Sequence, residues 1–463
     1  MDKYDVVVIG AGPGGYPAAI RAAQLGAKVA IIEKEDLGGT CLNHGCIPTK
    51  TLIASAELYH HMQHANDLGV KAGKISFDYA AMVKRKDDVV AKLNGGVGQL
   101  LKGNKVTVYK GTGSFVKRNK IAIKSGKKKT TIEAKNTIIA TGTTSAMPGF
   151  LPKNDRVMES RAFLQCKDLP KSMIVLGGGI IGCEFACMAA QLGTKVTIVE
   201  MLDDIMPMLD ADIRREARRV MEKDLGIRIL TGESLQDIKA DKKSVRGTCG
   251  DEKLSAAMLL VAVGRQPVTD GLNLAAAGLE TNEAGFIPVD TACKTKAATV
   301  YAIGDVNGGW QLAHAATSQG ITAAENAVNG TRKPMETLVP GCIFTTPEIG
   351  TVGISEQEAK EQGLAVKVGK FAFGGLGKGM ATNETGGFVK WIADAETDQL
   401  LGAHVIGAHA TDLIGEAVVA IRSELTAHEL GATIHAHFIF VEAWMEAAHN
   451  LHGTCIHGAP KRR

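Results

Sequence analysis

One unit recurs in this chain, Gly10 onto Gly177, and it restricts the fold more than any other feature. Asp5-Val6-Val7-Val8-Ile9 runs into Gly10, Gly12 and Gly15, and Lys28-Val29-Ala30-Ile31-Ile32 runs into Glu33. Ile174-Val175-Leu176 runs into Gly177, Gly179 and Gly182, and Val196-Thr197-Ile198-Val199 runs into Glu200. Short β-branched runs bounded by glycine predict buried parallel strands. In a G-x-G-x-x-G turn the first glycine bends the chain and the second lets the backbone approach a pyrophosphate. The third lets the helix sit close on the strand. Phosphates then meet the positive end of that helix and its free N–H groups. A single such motif is a weak signal. Two copies, each preceded by a strand and followed at equal spacing by a strand-ending Glu, predict two dinucleotide sites in an α/β chain with two Rossmann-like domains.

Glu200 also discriminates between nicotinamide cofactors. NADP favours a nearby arginine for its 2′-phosphate, whereas Met201-Leu202-Asp203-Asp204 supplies none. The second site is therefore predicted to take NAD.

Between the two units lies Cys41-Leu42-Asn43-His44-Gly45-Cys46. Two thiols at this spacing close into a small ring that opens and re-forms, which suits electron transfer better than stapling. A zinc site would show a second ligand pair nearby, and none is evident, so no metal is expected. His60 and His64 share a helix face without a third ligand and read as solvated.

Chain length predicts about three domains. A net charge of +4 gives no electrostatic case for nucleic acid. Lys124, Lys127, Lys128 and Lys129 surround a Ser-Gly turn and read as an exposed hairpin tip, and Arg214, Arg215, Arg218 and Arg219 as one wet helix face. Nine cysteines without a framework spacing fit a reducing compartment. With the first strand starting at Tyr4 and no apolar run of the ~18 residues a membrane span requires, the expectation is a soluble cytoplasmic protein, with no membrane partner.

Two nucleotide sites flanking a Cys-x4-Cys pair resemble the pyridine nucleotide–disulfide oxidoreductases, over essentially the whole length. Gly38-Gly39-Thr40-Cys41 through Lys50 is similar to that family's redox motif, and Tyr301-Ala302-Ile303-Gly304-Asp305 to its second FAD motif. Ala140-Thr141-Gly142 and Val263-Gly264-Arg265-Gln266-Pro267 are similar to its crossings between domains, and Phe344-Thr345-Thr346-Pro347-Glu348 opens a segment like its α+β dimerisation domain. The resemblance implies an FAD-binding domain over 1–147, an NAD-binding domain over 148–267, a second FAD or central part over 268–337 and a dimerisation domain over 338–463.

It further implies a homodimer that uses FAD and NAD. Its implied activity is oxidation of protein-bound dihydrolipoamide through a Cys41–Cys46 disulfide. The partner would be a lipoyl-bearing acyltransferase or a glycine-cleavage carrier protein. By the resemblance, Gly10, Gly12, Gly15, Glu33, Thr141, Gly142 and Asp305 would bind FAD, and Ala315 would begin a helix facing the flavin. Lys50 would lie by the reactive flavin nitrogen, paired with Glu184. Gly177, Gly179, Gly182, Glu184, Glu200 and Gly264 would form the NAD side. Cys46 would be the flavin-proximal thiolate and Cys41 the thiol that exchanges with substrate. A thiol of pKa ~8.5 needs a base to attack as thiolate, and imidazole at ~6.5 suits the task. His437, oriented by Glu442, would be that base, supplied by the partner subunit.

One departure stands out. The family reads His-Pro-Thr after the base, where this chain reads His437-Phe438-Ile439-Phe440. A cis bond is costlier before Phe than before Pro. Either His437-Phe438 keeps the cis geometry at a penalty, or the segment goes trans and His437 moves. The expectation is a dyad that survives chemically but is displaced or mobile, with weak dithiol turnover. It leaves room for a related NAD(P)H-dependent reductase of another disulfide or thiol, or for a flavoprotein scaffold. Cys183 and Cys187 read as core residues, and Cys455 as a single surface thiol.

Overall fold

The structure, a computed structural model, describes residues 1–458; residues 459–463 of the expected C-terminal domain lie outside the described residues. Strand Lys3–Ile9 is central to the first sheet because Val6, Val7 and Val8 bury completely. It pairs in parallel with Val29–Glu33 on one side and Lys128–Ile139 on the other. Thr107–Lys110 continues the sheet beyond Val29–Glu33. Val300–Ala302, from far along the chain, pairs in parallel with Lys128–Ile139. Helices Gly15–Gln24 and Ala313–Asn329 pack on each other over this sheet. The lysine-flanked Ser-Gly turn is the exposed end of the hairpin Lys120–Ser125/Lys128–Ile139.

The second sheet is wholly parallel, in the order Arg228–Thr231, Lys195–Glu200, Ser172–Leu176, Met258–Val261, Val157–Glu159. An antiparallel sheet, Leu235–Ala240, Val245–Cys249 and Glu252–Ala256, belongs to the same half. Thr143–Ser145 and Arg265–Pro267 pair antiparallel where the chain crosses between the halves. The two fingerprints obey the same sterics. A Cβ on Gly10 (φ +102°) would lie 2.3 Å from the Ala140 carbonyl oxygen, and on Gly177 (φ +106°) 2.5 Å from that of Ala262. On Gly15 it would lie 1.9 Å from Gly10 O, and on Gly182 2.1 Å from Gly177 O. These obstacles are backbone, so no side-chain rotation relieves them.

Residues from 341 onward form a five-stranded antiparallel sheet, ordered Gly341–Ile343, Ile349–Gly353, Leu400–Gly407, Gly387–Asp394, Val366–Ala372. Helices Ala410–Arg422, Ala427–Ala432 and Glu442–Leu451 share its core, where the fully buried Trp391 and Trp444 lie 4.6 Å apart.

A buried charge cluster joins this sheet to the half built on the second parallel sheet. Lys390, 1% exposed, bonds both carboxylate oxygens of the equally buried Asp210 at 2.9 Å, Asp212 at 3.0 Å and Glu356 at 2.8 Å. Burial opposes ionisation of Asp212, but Lys370 and Lys390 outweigh it and hold its carboxyl down to about 2. A depressed folded value means that this contribution is present above the unfolded carboxylate range and is lost as pH falls through the folded one. Replacing Lys390 by methionine leaves Asp210 buried and uncompensated. The expected cost is ~3–5 kcal/mol, seen calorimetrically as a large fall in the unfolding temperature at pH 7 that shrinks towards pH 2. The arginine helix Ala211–Lys223 is less solvated than its sequence suggests, because Arg214 packs down to bond Asp204 at 2.7 Å and the Leu209 carbonyl at 3.1 Å.

Candidate active site

Both fingerprints, the cysteine pair and the domain crossing open onto one connected cleft of about 1390 Å³, larger than the ~300–1,000 Å³ of an ordinary single-ligand pocket. Gly10, Gly12, Gly177, Gly179, Thr141, Gly142 and Gly264 line it. Gly15 and Gly182 do not; they act from behind by letting each helix touch the preceding turn. Ala315 is likewise buried, and its neighbours Leu312, Ala313 and His314 line the cleft at the start of a helix without a side-chain cap.

The two strand-ending glutamates are held alike. Glu33 accepts the Ala11 N–H at 2.7 Å and the Glu35 N–H at 2.8 Å. Glu200 accepts the Gly178 N–H at 2.6 Å and the Leu202 N–H at 2.9 Å. Each carboxylate is thus pinned at its strand end, facing the cleft. Arg214 and Arg218, from the helix that follows Glu200, both engage Asp204, and neither lines the cleft. Asp305 accepts from the Thr143 hydroxyl at 2.6 Å, and that hydroxyl accepts from Arg265 Nε at 2.6 Å.

The redox segment folds as two short consecutive helices, Gly39–His44 and Cys46–Gln63. Cys46 is the first residue of the longer one, where the positive helix end favours a thiolate. Pro48 sits in the first turn, where a missing N–H costs nothing. Gly12 and Gly39 pass so closely that a Cβ on Gly39 would lie 2.5 Å from Gly12 Cα, which locks the fingerprint loop to the redox loop. Asn43 and Asn94, which sequence reasoning missed, complete the lock. Both donate to the Leu37 carbonyl, at 2.9 and 2.6 Å, and Asn43 also donates to that of Gly39 at 3.0 Å.

In this structure Cys41 and Cys46 are free thiols, half-buried in the cleft. The hydrogen bond from the Cys41 thiol to the Cys46 sulfur does most to set their titration. It raises Cys41 far above the ordinary thiol range and lowers Cys46 against the opposing effect of burial. Lys50 lowers Cys46 further. Lys50 Nζ contacts both Glu184 oxygens, at 2.8 and 2.7 Å, and lies 4.9 Å from the Phe344 ring centre. Glu184 in turn accepts the Phe344 N–H at 3.0 Å, so the redox helix, the second nucleotide domain and the C-terminal domain meet at one lysine.

The expected displacement of the histidine dyad does not occur. The His437–Phe438 peptide is cis. His437 Nδ1 lies 2.9 Å from Glu442 Oε1, and Glu442 Oε2 accepts the Ile439 N–H at 3.1 Å. The apolar replacements have separate roles. Phe440 is buried 5.1 Å from Phe373, and Phe438 lies edge-on to His437 with Lys378 Nζ 5.4 Å from its ring centre. His437 itself is 74% exposed, and neither it nor Glu442 lines the cleft that holds the cysteines.

The donor set fits an extended dinucleotide. The cleft offers an open cradle at Gly12, two pinned carboxylates, a free helix start at Ala313, and His44, whose Nδ1 is buried without a partner. Among the described residues no group of three or more His, Cys, Asp or Glu side chains is placed to hold a metal ion, and no helix is long and apolar enough to cross a membrane. Cys455 is not a bare surface thiol. It donates to buried Glu446 at 3.0 Å, and burial together with that carboxylate pushes it up to about 11.

Comparison with known proteins supplies the family. A sequence profile described as pyridine nucleotide-disulphide oxidoreductase matches residues 4–320, and that family's dimerisation domain matches residues 339–448. The chain belongs to the pyridine nucleotide-disulphide oxidoreductases. It is 42% identical to the dihydrolipoyl dehydrogenase of Chlamydia muridarum over 100% of both chains. It is also 42% identical to that of Bacillus subtilis strain 168, over 98% of this chain and 99% of the relative. Among solved structures it resembles the HOCl-induced flavoprotein disulfide reductase of Escherichia coli in its Cu(II) complex, with a TM-score of 0.88 and 29% identity over 97% and 99% of the two chains. LpdA of Mycobacterium tuberculosis superposes with a TM-score of 0.90 at 25% identity, over 97% and 100%.

Proposed function

We propose that this enzyme oxidises protein-bound dihydrolipoamide to lipoamide and passes the electrons to NAD. What carries the reading is the single cleft in which the cysteine pair lies between two dinucleotide cradles. The relatives named dihydrolipoyl dehydrogenase, at 40–42% identity over nearly full length, select the dithiol substrate. They also disfavour a reductase of another disulfide and a scaffold without turnover.

The residues act as follows. His437, held by Glu442, takes a proton from one substrate thiol. The resulting thiolate attacks Cys41 in the Cys41–Cys46 disulfide, and Cys46 leaves as thiolate. The second substrate thiol displaces Cys41, its proton passing to the departing Cys41 sulfur, which closes the lipoyl disulfide and leaves the enzyme as a Cys41 thiol and a Cys46 thiolate. Cys41 donates its S–H to the Cys46 thiolate, and Lys50 supplies a counter-charge fixed by Glu184. FAD, when bound, supplies two-electron transfer between this dithiol and the nicotinamide. Glu33 and Asp305 would hold its ribose and ribityl hydroxyls, and Glu200 those of NAD. The net change balances as dithiol plus NAD⁺ giving disulfide, NADH and a proton.

His437 is exposed and lies outside the cysteine cleft, so a second copy must bring it to the thiols; the working unit is a homodimer. The carrier would be a lipoyl-bearing acyltransferase or glycine-cleavage protein. The seven cysteines outside the redox pair are free thiols, which suits the reducing cytoplasm. Mixing the FAD-loaded enzyme anaerobically with dihydrolipoamide and NAD tests the reading. One NADH per dithiol is the expected result, and no NADH with dihydrolipoamide from an enzyme whose flavin is still reduced by NADH would overturn it.

A further inference from the structure

Two residues before His437 lies a second histidine–carboxylate pair. His435 Nε2 is 2.7 Å from Glu416 Oε1, and its Nδ1 is 2.9 Å from the Thr433 carbonyl oxygen. The imidazole is 5% exposed in a single chain. A carboxylate and a carbonyl only accept hydrogen bonds, so both ring nitrogens of His435 must carry protons. We propose that His435 is a standing imidazolium, a positioning residue that clamps the segment carrying His437 onto helix Ala410–Arg422. The proposal rests on the reading of His437 as the base.

The surroundings agree with a cation. The bond to Glu416 raises His435 above the ordinary imidazole range against the effect of burial, and the Thr433 carbonyl and the charges of Glu416 and Glu442 act in the same sense. Those two carboxylates come from the helices Ala410–Arg422 and Glu442–Leu451. Buried His404 provides the contrast. Its Nδ1 meets the Thr351 hydroxyl at 2.7 Å, a group able to donate, and burial lowers its titration. His435 also has no ring nitrogen left to accept a substrate proton, whereas His437 keeps Nε2 for that purpose. The pair therefore divides the work, with one imidazole moving protons and the other fixing the segment. The charge of Glu442, which orients His437, acts on His435 as well, so the cation also favours the ionised form of that carboxylate.

The folded value of His435 is raised. Its contribution is thus complete below the ordinary imidazole value of ~6.5 and is lost as pH rises through the folded one. The clamp should therefore loosen on the alkaline side.

The test uses FAD-loaded His435→Gln, His435→Lys, Glu416→Gln and His437→Gln. Each is assayed for NAD reduction by dihydrolipoamide across pH, and for NADH–ferricyanide turnover, which needs no thiol base. Using one substrate throughout cancels its own titration. His435→Gln should lower dithiol kcat by about tenfold to hundredfold at pH 7, leave ferricyanide turnover unchanged and remove the alkaline fall. Glu416→Gln should do the same and also serves if His435→Gln does not fold. His435→Lys should restore most of kcat and carry the alkaline fall to higher pH. Wild-type kcat and pH profile in His435→Gln or Glu416→Gln, with His437→Gln inactive, would overturn the proposal alone. Wild-type turnover in His437→Gln would instead overturn the assignment of the base.

Discussion

Replacing Cys46 by serine should abolish NAD reduction by dihydrolipoamide, by at least ~10³-fold, while NADH–ferricyanide turnover persists. A serine hydroxyl forms no disulfide, so the enzyme loses the acceptor to which the substrate's two electrons pass. Cys41→Ser should be as damaging to the dithiol reaction, for the same reason. The two cysteines nevertheless part in a second measurement. Cys46 is the thiol that ionises early, chiefly because Cys41 donates to it, with Lys50 adding to the effect. In the reduced wild-type enzyme, the rate of Cys46 alkylation by iodoacetamide should therefore reach half its maximum well below the ~8.5 of an unperturbed thiol. Cys41→Ser keeps a hydroxyl donor, whereas in Cys41→Ala the strongest of these influences is gone, and the half-point should move up. An unchanged half-point would show that Lys50 and the helix end alone set the thiolate, and that the two cysteines do not divide their roles as assigned.

Much of this arrangement is readable in the sequence, for a physical reason. Gly10, Gly15, Gly177 and Gly182 are each required by a backbone oxygen within 2.5 Å of any added Cβ, so the motif is a local steric rule and needs no knowledge of the remaining chain. Glu33 and Glu200 follow from the same local register. What sequence patterns miss is long-range polar closure. Lys390 looks like an ordinary strand lysine, and nothing local indicates that Asp210, 180 positions earlier, buries with it. Asn43 sits inside the redox motif, but its partner Asn94 comes from a helix 51 positions on. Arg214 belongs to a helix with a polar face and still packs inwards, because Asp204 lies beneath it.

At His437 the sequence shows the loss of the proline at Phe438 but not what the new side chains pack against. Phe440 fills the core beside Phe373 and His409, and Glu442 binds both the His437 ring and the Ile439 N–H, so the segment is held at both ends.

His437→Gln should consequently cost dithiol-driven turnover about 10²- to 10⁴-fold, the usual loss when a positioned acid–base group is removed. Ferricyanide turnover should stay at the wild-type level. A sharper result comes from combining the two inactive proteins. If His437 serves the cysteines of the other subunit, a hybrid of one Cys46→Ser chain and one His437→Gln chain contains two unlike sites. One site receives both lesions; the other pairs an intact cysteine pair with an intact His437. Random exchange of subunits should then recover about one working site in four, the share expected for an isologous two-fold dimer. If His437 served its own chain, each site in the hybrid would carry one lesion, and no activity would return. Recovery therefore separates a base that acts across the dimer from one that acts within the chain, and the exposure of His437 outside the cysteine cleft favours the former.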